Sequence, residues 1–211
     1  DTMAPSRVRT EVRVWYDQAA LYLGWICEDA DIQATLTRRD SRFWEEEVVE
    51  FFVTPATLDR YFELQWNPLG GTFDAIIQND IAPDGRSRRF EGDWAYTAAT
   101  MTFAVQVDGS VQNSSDRDRR WTVEVRIPFK SLRYQPGRAQ VWGINARRVN
   151  RWKNEVSYVT KIPAAMTLRG HFLSSLMGTL VGVEAPPASR NIEIKPYVVS
   201  DLETDATATP R

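Results

Sequence analysis

Apolar and polar residues alternate with period two along most of the chain, and turn-forming residues interrupt the alternation at short intervals. Successive side chains of a strand point to opposite faces, so the pattern predicts strands with one apolar face each. Val8 to Trp15 and Leu21 to Cys27 form an expected hairpin around Tyr16-Asp17-Gln18. Val48 to Thr54 and Arg60 to Asn67 form a second, joined through Pro55-Ala56-Thr57. Further strands are expected at Thr72 to Gln78, Trp94 to Ala98, Thr102 to Val107, Arg120 to Ile127, Gln140 to Arg148, Glu155 to Lys161, Gly178 to Val183 and Ile192 to Val199. β-Branched and aromatic residues dominate them. No segment carries a long 3.6-residue stripe, and the one helical candidate is a single turn from Phe129 to Leu132. The fold class is therefore all-β, a two-sheet antiparallel sandwich.

Two polar stretches, Ile81 to Asp93 and Asp108 to Arg119, read as solvated, mobile loops. Ala185-Pro186-Pro187-Ala188-Ser189 reads as a linker and Asp201 to Arg211 as a frayed tail. The expected organisation is one sandwich over residues 1–184, with 185–211 a linker and the start of a following region.

Sorting each strand by its own alternation gathers a polar face. Phe62, Leu64 and Trp66 oppose Glu63, Gln65 and Asn67. Trp121, Val123, Val125 and Ile127 oppose Thr122, Glu124 and Arg126, while Trp142, Ile144 and Ala146 oppose Gly143, Asn145 and Arg147. Glu50 is the lone charge in its strand and needs a polar face or a partner. Were these strands neighbours, one face would carry Glu50, Gln65, Asn67, Glu124, Arg126, Asn145 and Arg147. Such groups supply the donors and acceptors that read sugar hydroxyls. They equally suit a solvated outer face with charge pairs across strands. Trp66, Trp121 and Trp142 lie at core phase, and Trp15 and Trp25 read as core or sheet-end residues. Trp44, in the charged stretch Arg38 to Glu47, is either an exposed ring able to stack on a pyranose or a loop aromatic covering a core edge.

Composition narrows the chemistry. The 211 residues are 43% hydrophobic, enough for a substantial core, and 26 basic against 28 acidic residues leave a net charge of -2. No global field draws the chain to nucleic acid, and no run of about 18 apolar residues is present to span a membrane as a helix. One histidine, His171, and one cysteine, Cys27, argue against a His/Cys metal site or a His-driven triad, and no Gly-rich phosphate loop appears. No enzyme and no obligatory organic cofactor is expected.

The stretch Trp44-Glu45-Glu46-Glu47-Val48-Val49-Glu50-Phe51-Phe52-Val53 resembles the W-x-x-D-x-V-E-[IV]-F-[IVL] signature of family 9 carbohydrate-binding modules. Tyr22-Leu23, the strand Trp121 to Phe129 with its Glu124 and Ile127-Pro128, Trp142-Gly143-Ile144-Asn145 and Gly178-Thr179-Leu180 are similar to that family's later motifs, in the same order. Asn67-Pro68-Leu69-Gly70, Ile127 to Tyr134, Arg147-Arg148 and Ile192 to Tyr197 also resemble bacterial proteins in which such a domain precedes an outer-membrane β-barrel. The resemblance implies a non-catalytic β-sandwich that binds an oligo- or polysaccharide, in the periplasm or outside the cell. It implies Trp44 as one stacking residue and Glu50, Gln65, Asn67, Asn145 and Arg147 as hydroxyl readers. Phe172, or His171 beside it, stands where the family places a second clamp tryptophan. Related modules carry structural calcium, and Asp29, Asp31 and Asp40 are the corresponding candidates here. Two rivals remain: a glycosidase built on Glu50 and Glu124, and a domain that docks to its own barrel or a protein partner without binding sugar.

Overall fold

The computed structural model describes residues 4–187, apart from 56–59, 82–86, 94–100, 115–116, 136 and 138. Among the described residues, eleven strands form two antiparallel sheets: β1 (Thr10–Tyr16), β2 (Ala20–Glu28), β3 (Glu47–Thr54), β4 (Arg60–Trp66), β5 (Thr72–Ile81), β6 (Ser87–Asp93), β7 (Thr102–Asp108), β8 (Arg120–Pro128), β9 (Ala139–Asn150), β10 (Glu155–Tyr158) and β11 (Gly178–Glu184). One sheet has the order β1-β2-β8-β7. The other runs β10-β9-β3-β4-β5-β6, with β11 also paired to β9. No α-helix occurs among the described residues; the non-strand elements are 3₁₀ turns at Phe43–Glu45, Phe129–Ser131, Ala164–Phe172 and Ser174–Leu176.

Period two places the core as expected. Leu21, Leu23 and Trp25 of β2 and Val123 and Val125 of β8 meet Val49, Phe51 and Val53 of β3 and Leu64 and Trp66 of β4 between the sheets. Trp66, Trp121 and Trp142 are buried there. Ala185 is buried in the same core and the Tyr134 hydroxyl donates to the Pro186 carbonyl at 2.7 Å, so the chain stays on the sandwich through the first residues of the expected linker.

Several expectations are corrected. Residues 87–93 are not a loop but an edge strand antiparallel to β5. An edge strand needs backbone partners on one side only, so its side chains carry little periodic signal. The Asp108–Arg119 connection is pinned rather than free: the buried Asp118 carboxylate accepts from the Ile32 amide at 2.9 Å and the Ser110 amide at 2.7 Å. Of the two readings of Trp15, core or sheet end, the structure takes the sheet end. The residue is 46% exposed, because Val12 and Val14 take the inward phase of β1 and leave Trp15 outward. The expected strands at 94–98 and 192–199 lie outside the described residues.

Strands β3 and β4, at the middle of the seven-stranded sheet, are buried on both faces. The sheet's outward residues Val48, Phe52, Tyr61, Phe73, Ala75 and Ile77 pack with Phe43 into a second apolar cluster, against which Leu36, Trp44, Phe172 and Met177 also pack. The polar face of the sheet therefore lies under cover.

The candidate polar site under the 164–172 turn

Glu50, Gln65 and Arg147 form one cross-strand row, since Glu50 pairs in register with Gln65 on β4 and with Arg147 on β9. The neighbouring row holds Glu63, Phe52 and Asn145. Sequence sorting placed Glu124 and Arg126 on this face too, and the topology removes them. Strand β8 pairs only with β2 and β7, so both residues point out of the opposite sheet. Glu50 and Glu124 thus lie on opposite outer faces of the sandwich, and the carboxylate pair a glycosidase needs is not assembled from them.

All members of the site are buried: Glu50 and Gln65 fully, with Glu63, Asn145, Arg147 and His171 nearly so. The Arg147 Nη1 donates to Glu50 Oε2 at 2.8 Å, and its guanidinium also lies over the Tyr158 ring at 5.9 Å. Gln65 Nε2 donates to Glu63 Oε1 at 2.7 Å. Burial, reinforced by the charge of Glu50, pushes the Glu63 carboxyl up to about 8. Burial also raises Glu50, against the opposing pull of Arg147. At neutral pH Glu63 therefore holds a proton, and Glu50 and Arg147 compensate each other.

The cover comes from the 3₁₀ segment Ala164–Phe172. Its His171 ring lies 3.8 Å from Phe172, 6.0 Å from Phe52 and 6.4 Å from Tyr158, measured between centroids. Burial, with the nearby Arg147 charge, lowers the imidazole to about 3, so it is neutral. Four buried polar atoms at this site have no hydrogen-bond partner among the described residues: Glu50 Oε1, Gln65 Oε1, Arg147 Nε and His171 Nδ1. Buried polar groups are normally paired, so such a cluster marks unmet hydrogen-bonding capacity.

The other sequence candidates sort by their surroundings. Trp44 is half-buried, edge-on to Phe73 at 5.7 Å, and Phe172 packs on the same outer cluster. Asn67 is not an available reader. Its Nδ2 donates to the Leu36 carbonyl and its Oδ1 accepts from the Gly71 amide, both at 2.7 Å, so its amide is spent tying the β4–β5 turn to the β2–β3 connection. Asn145 Oδ1 accepts from the Ala146 and Thr160 amides at 2.8 and 3.3 Å. Where a shallow, open site walled by an exposed Trp44 was expected, the structure has a buried polar cluster beside a half-buried Trp44.

The calcium candidates are not brought together. Asp29 Oδ2 accepts from Arg148 at 2.8 Å and Asn150 at 2.7 Å, and Lys153 takes its other oxygen. Asp31 accepts from Gln33 at 2.5 Å, and Asp40 is exposed beside Arg39. Among the described residues no three acidic, His or Cys side chains are grouped to hold a metal. Of the three candidates, Asp29 is the one that pairs with internal cations, Arg148 and Lys153.

Glu63 and Tyr158 were missed as members of the site. The alternation of β4 put Glu63 on the correct face, but its pairing with Phe52 and Asn145 depends on strand register.

Residues 4–134 match the sequence profile of carbohydrate-binding family 9. No curated protein matches the chain. Its fold is similar to that of a candidate carbohydrate-binding protein from Bacteroides uniformis, with TM-score 0.58, 16% identity and coverage of 84% of this chain and 79% of that one. It is also similar to a family 9 module from Caldicellulosiruptor kristjanssonii in complex with glucose, with TM-score 0.52, 13% identity and coverage of 90% and 83%. The same organism's module in complex with cellotriose superposes with TM-score 0.51, 12% identity and coverage of 92% and 84%.

Proposed function

The chain belongs to carbohydrate-binding family 9, and from that premise we propose that it is a non-catalytic module binding a saccharide end on the Glu50, Gln65, Asn145 and Arg147 face. One observation carries the assignment: the four unpartnered polar atoms gathered there. Glu50 Oε1 and Gln65 Oε1 accept and Arg147 Nε donates on the sheet itself, while neutral His171 Nδ1 belongs to the cover. A sugar hydroxyl both donates and accepts, so a pyranose edge matches this mixture, whereas a single ion satisfies one sign only. Trp44 flanks the polar row from the 3₁₀ turn that opens β3 and supplies the apolar ring face. Saccharide entry requires the His171–Phe172 corner to move aside, which makes the affinity modest, because displacing it costs packing.

Titration calorimetry with glucose and cellotriose tests this. Wild type is expected to bind, and Trp44→Ala to weaken binding about tenfold without unfolding, since stacking aromatics dominate small recognition surfaces. Absence of binding to these sugars and to a broad glycan array overturns it. That result favours the second reading, a domain docking to protein, which the closed state of the polar face supports.

A further inference from the structure

The outer face of the four-stranded sheet carries a second aromatic feature, on the opposite side of the sandwich. Strand register arranges this face in rows. Trp15, Tyr22, Arg126 and Thr102 lie side by side across β1, β2, β8 and β7. The next row is Arg13, Gly24, Glu124 and Ala104, followed by Glu11, Ile26, Thr122 and Gln106.

Trp15 and Tyr22 stack in parallel, with centroids 5.6 Å apart and planes 7° from parallel. The pair is held in place from below and from the side. Tyr22 donates its hydroxyl to Asp17 Oδ2 at 2.8 Å, and Asp17 Oδ1 in turn accepts from the Ala19 and Ala20 amides of the hairpin turn. The Trp15 indole lies over Gly24, where an added Cβ would stand 3.2 Å from the ring. The ring is nonetheless 46% exposed. A large aromatic fixed in place yet left open to solvent is the preorganised half of a stacking contact.

The polar neighbours complete the pattern. Glu124, exposed in the adjacent row, makes no hydrogen bond or ion pair among the described residues, and Arg126 acts on Asp17 only through its charge. The Trp15 ring covers Gly24 on one side of Glu124, and on the other Ala104 presents almost no side chain, so the ground is low on that side. Charges on the face nearly balance, with Arg9, Arg13, Arg120 and Arg126 against Glu11, Asp17, Glu28, Glu124 and Asp108. Most of these pair among themselves, as Arg9 and Arg13 do with Glu11. A nearly neutral field suits a neutral ligand better than a polyanion or a basic peptide.

We propose that this face is a second saccharide surface, which takes an extended, neutral polysaccharide chain by stacking on Trp15–Tyr22 and by hydroxyl contacts to Glu124 and Arg126. It rests on the carbohydrate-binding reading for the ligand class alone; its residues are separate from the site around Glu50. A flat surface without walls grips a single sugar weakly, and repeated units along a chain add their contacts.

The test is retention of the whole chain on microcrystalline cellulose, chitin and insoluble xylan, with glucose calorimetry in parallel. Trp15→Ala, Glu124→Gln and Trp44→Ala are compared with wild type, and circular dichroism verifies each fold. Trp15→Ala is expected to lower retention about tenfold and Glu124→Gln severalfold, with glucose binding unchanged in both. Retention by Trp15→Ala equal to wild type overturns the second surface and leaves the Glu50 site standing. Loss in Trp15→Ala with Trp44→Ala unchanged in both assays supports the second surface and removes the first. Wild type retained on none of the three polymers overturns the second surface whatever the calorimetry shows. A wild-type dimer in sedimentation that Trp15→Ala dissolves overturns it in favour of contact between copies.

Discussion

Glu63 shows what the fold imposes on a single side chain. It is buried beside another carboxylate, and its folded value near 8 lies well above that of an exposed glutamate. A carboxyl raised in the folded state stabilises below its unfolded value, and that stability is lost as pH rises through the folded value. Glu47, raised by burial to about 7, adds the same sign. His171, lowered to about 3, contributes the opposite slope only below its unfolded value of 6.5. Between pH 6.5 and 8 the wild-type Tm should therefore fall, and Glu63→Gln should flatten much of that fall while keeping the bond to Gln65. A Tm–pH slope identical in the two proteins would show that Glu63 is ionised throughout. At this scale the sequence was partly legible. Period two identified Glu50, Gln65, Asn145 and Arg147 as sharing a face, while it left Trp15 between core and sheet end. That these polar residues are buried was not legible, because the cover comes from 3₁₀ segments that carry no period.

At the scale of elements, the two sheets are joined at one end by Arg148. It belongs to β9, yet its Nη1 reaches Thr10 of β1 at 3.1 Å and the Glu28 carbonyl of β2 at 2.9 Å. Its Nη2 lies 2.8 Å from Asp29 and 2.5 Å from Glu47, and Glu47 also accepts the Trp121 indole N–H at 2.9 Å. One guanidinium thus connects both sheets in a buried network. Arg148→Met, shorter but of similar bulk, keeps most of the volume and takes the shared cation from two buried carboxylates, and removal of one partner of such a group costs about 3–5 kcal/mol. Urea denaturation should show that loss, and a change under about 1 kcal/mol would mean that water reaches Asp29 and Glu47 freely. Strands with an apolar face were read from sequence to within a few residues. The polar edge strand β6 was not, and neither was the separation of β8 from β3, since alternation says which way a residue points but not which strand lies beside it.

The molecule as a whole is a sandwich with an additional layer on one side, where the 43–45 and 164–172 turns cover the outer apolar cluster. This layer has no sheet hydrogen bonds of its own, so it opens at lower free energy than the strands beneath it. If saccharide binds under it, the measured dissociation constant is the intrinsic one divided by the open fraction. His171 is the residue that fills the space over Arg147 and Phe52. His171→Ala removes stacking with Phe172 and Tyr158 and favours the open layer, while Glu50, Gln65, Asn145 and Arg147 stay on rigid strands. A shift of about 1 kcal/mol toward the open state tightens binding about fivefold. The amides of residues 164–172 should exchange faster in the variant without sugar. Calorimetry on glucose should then give tighter binding by His171→Ala than by wild type. Weaker binding would mean that the imidazole touches the sugar itself, as a substitute for a clamp tryptophan, and that the layer is a wall of the site rather than its cover.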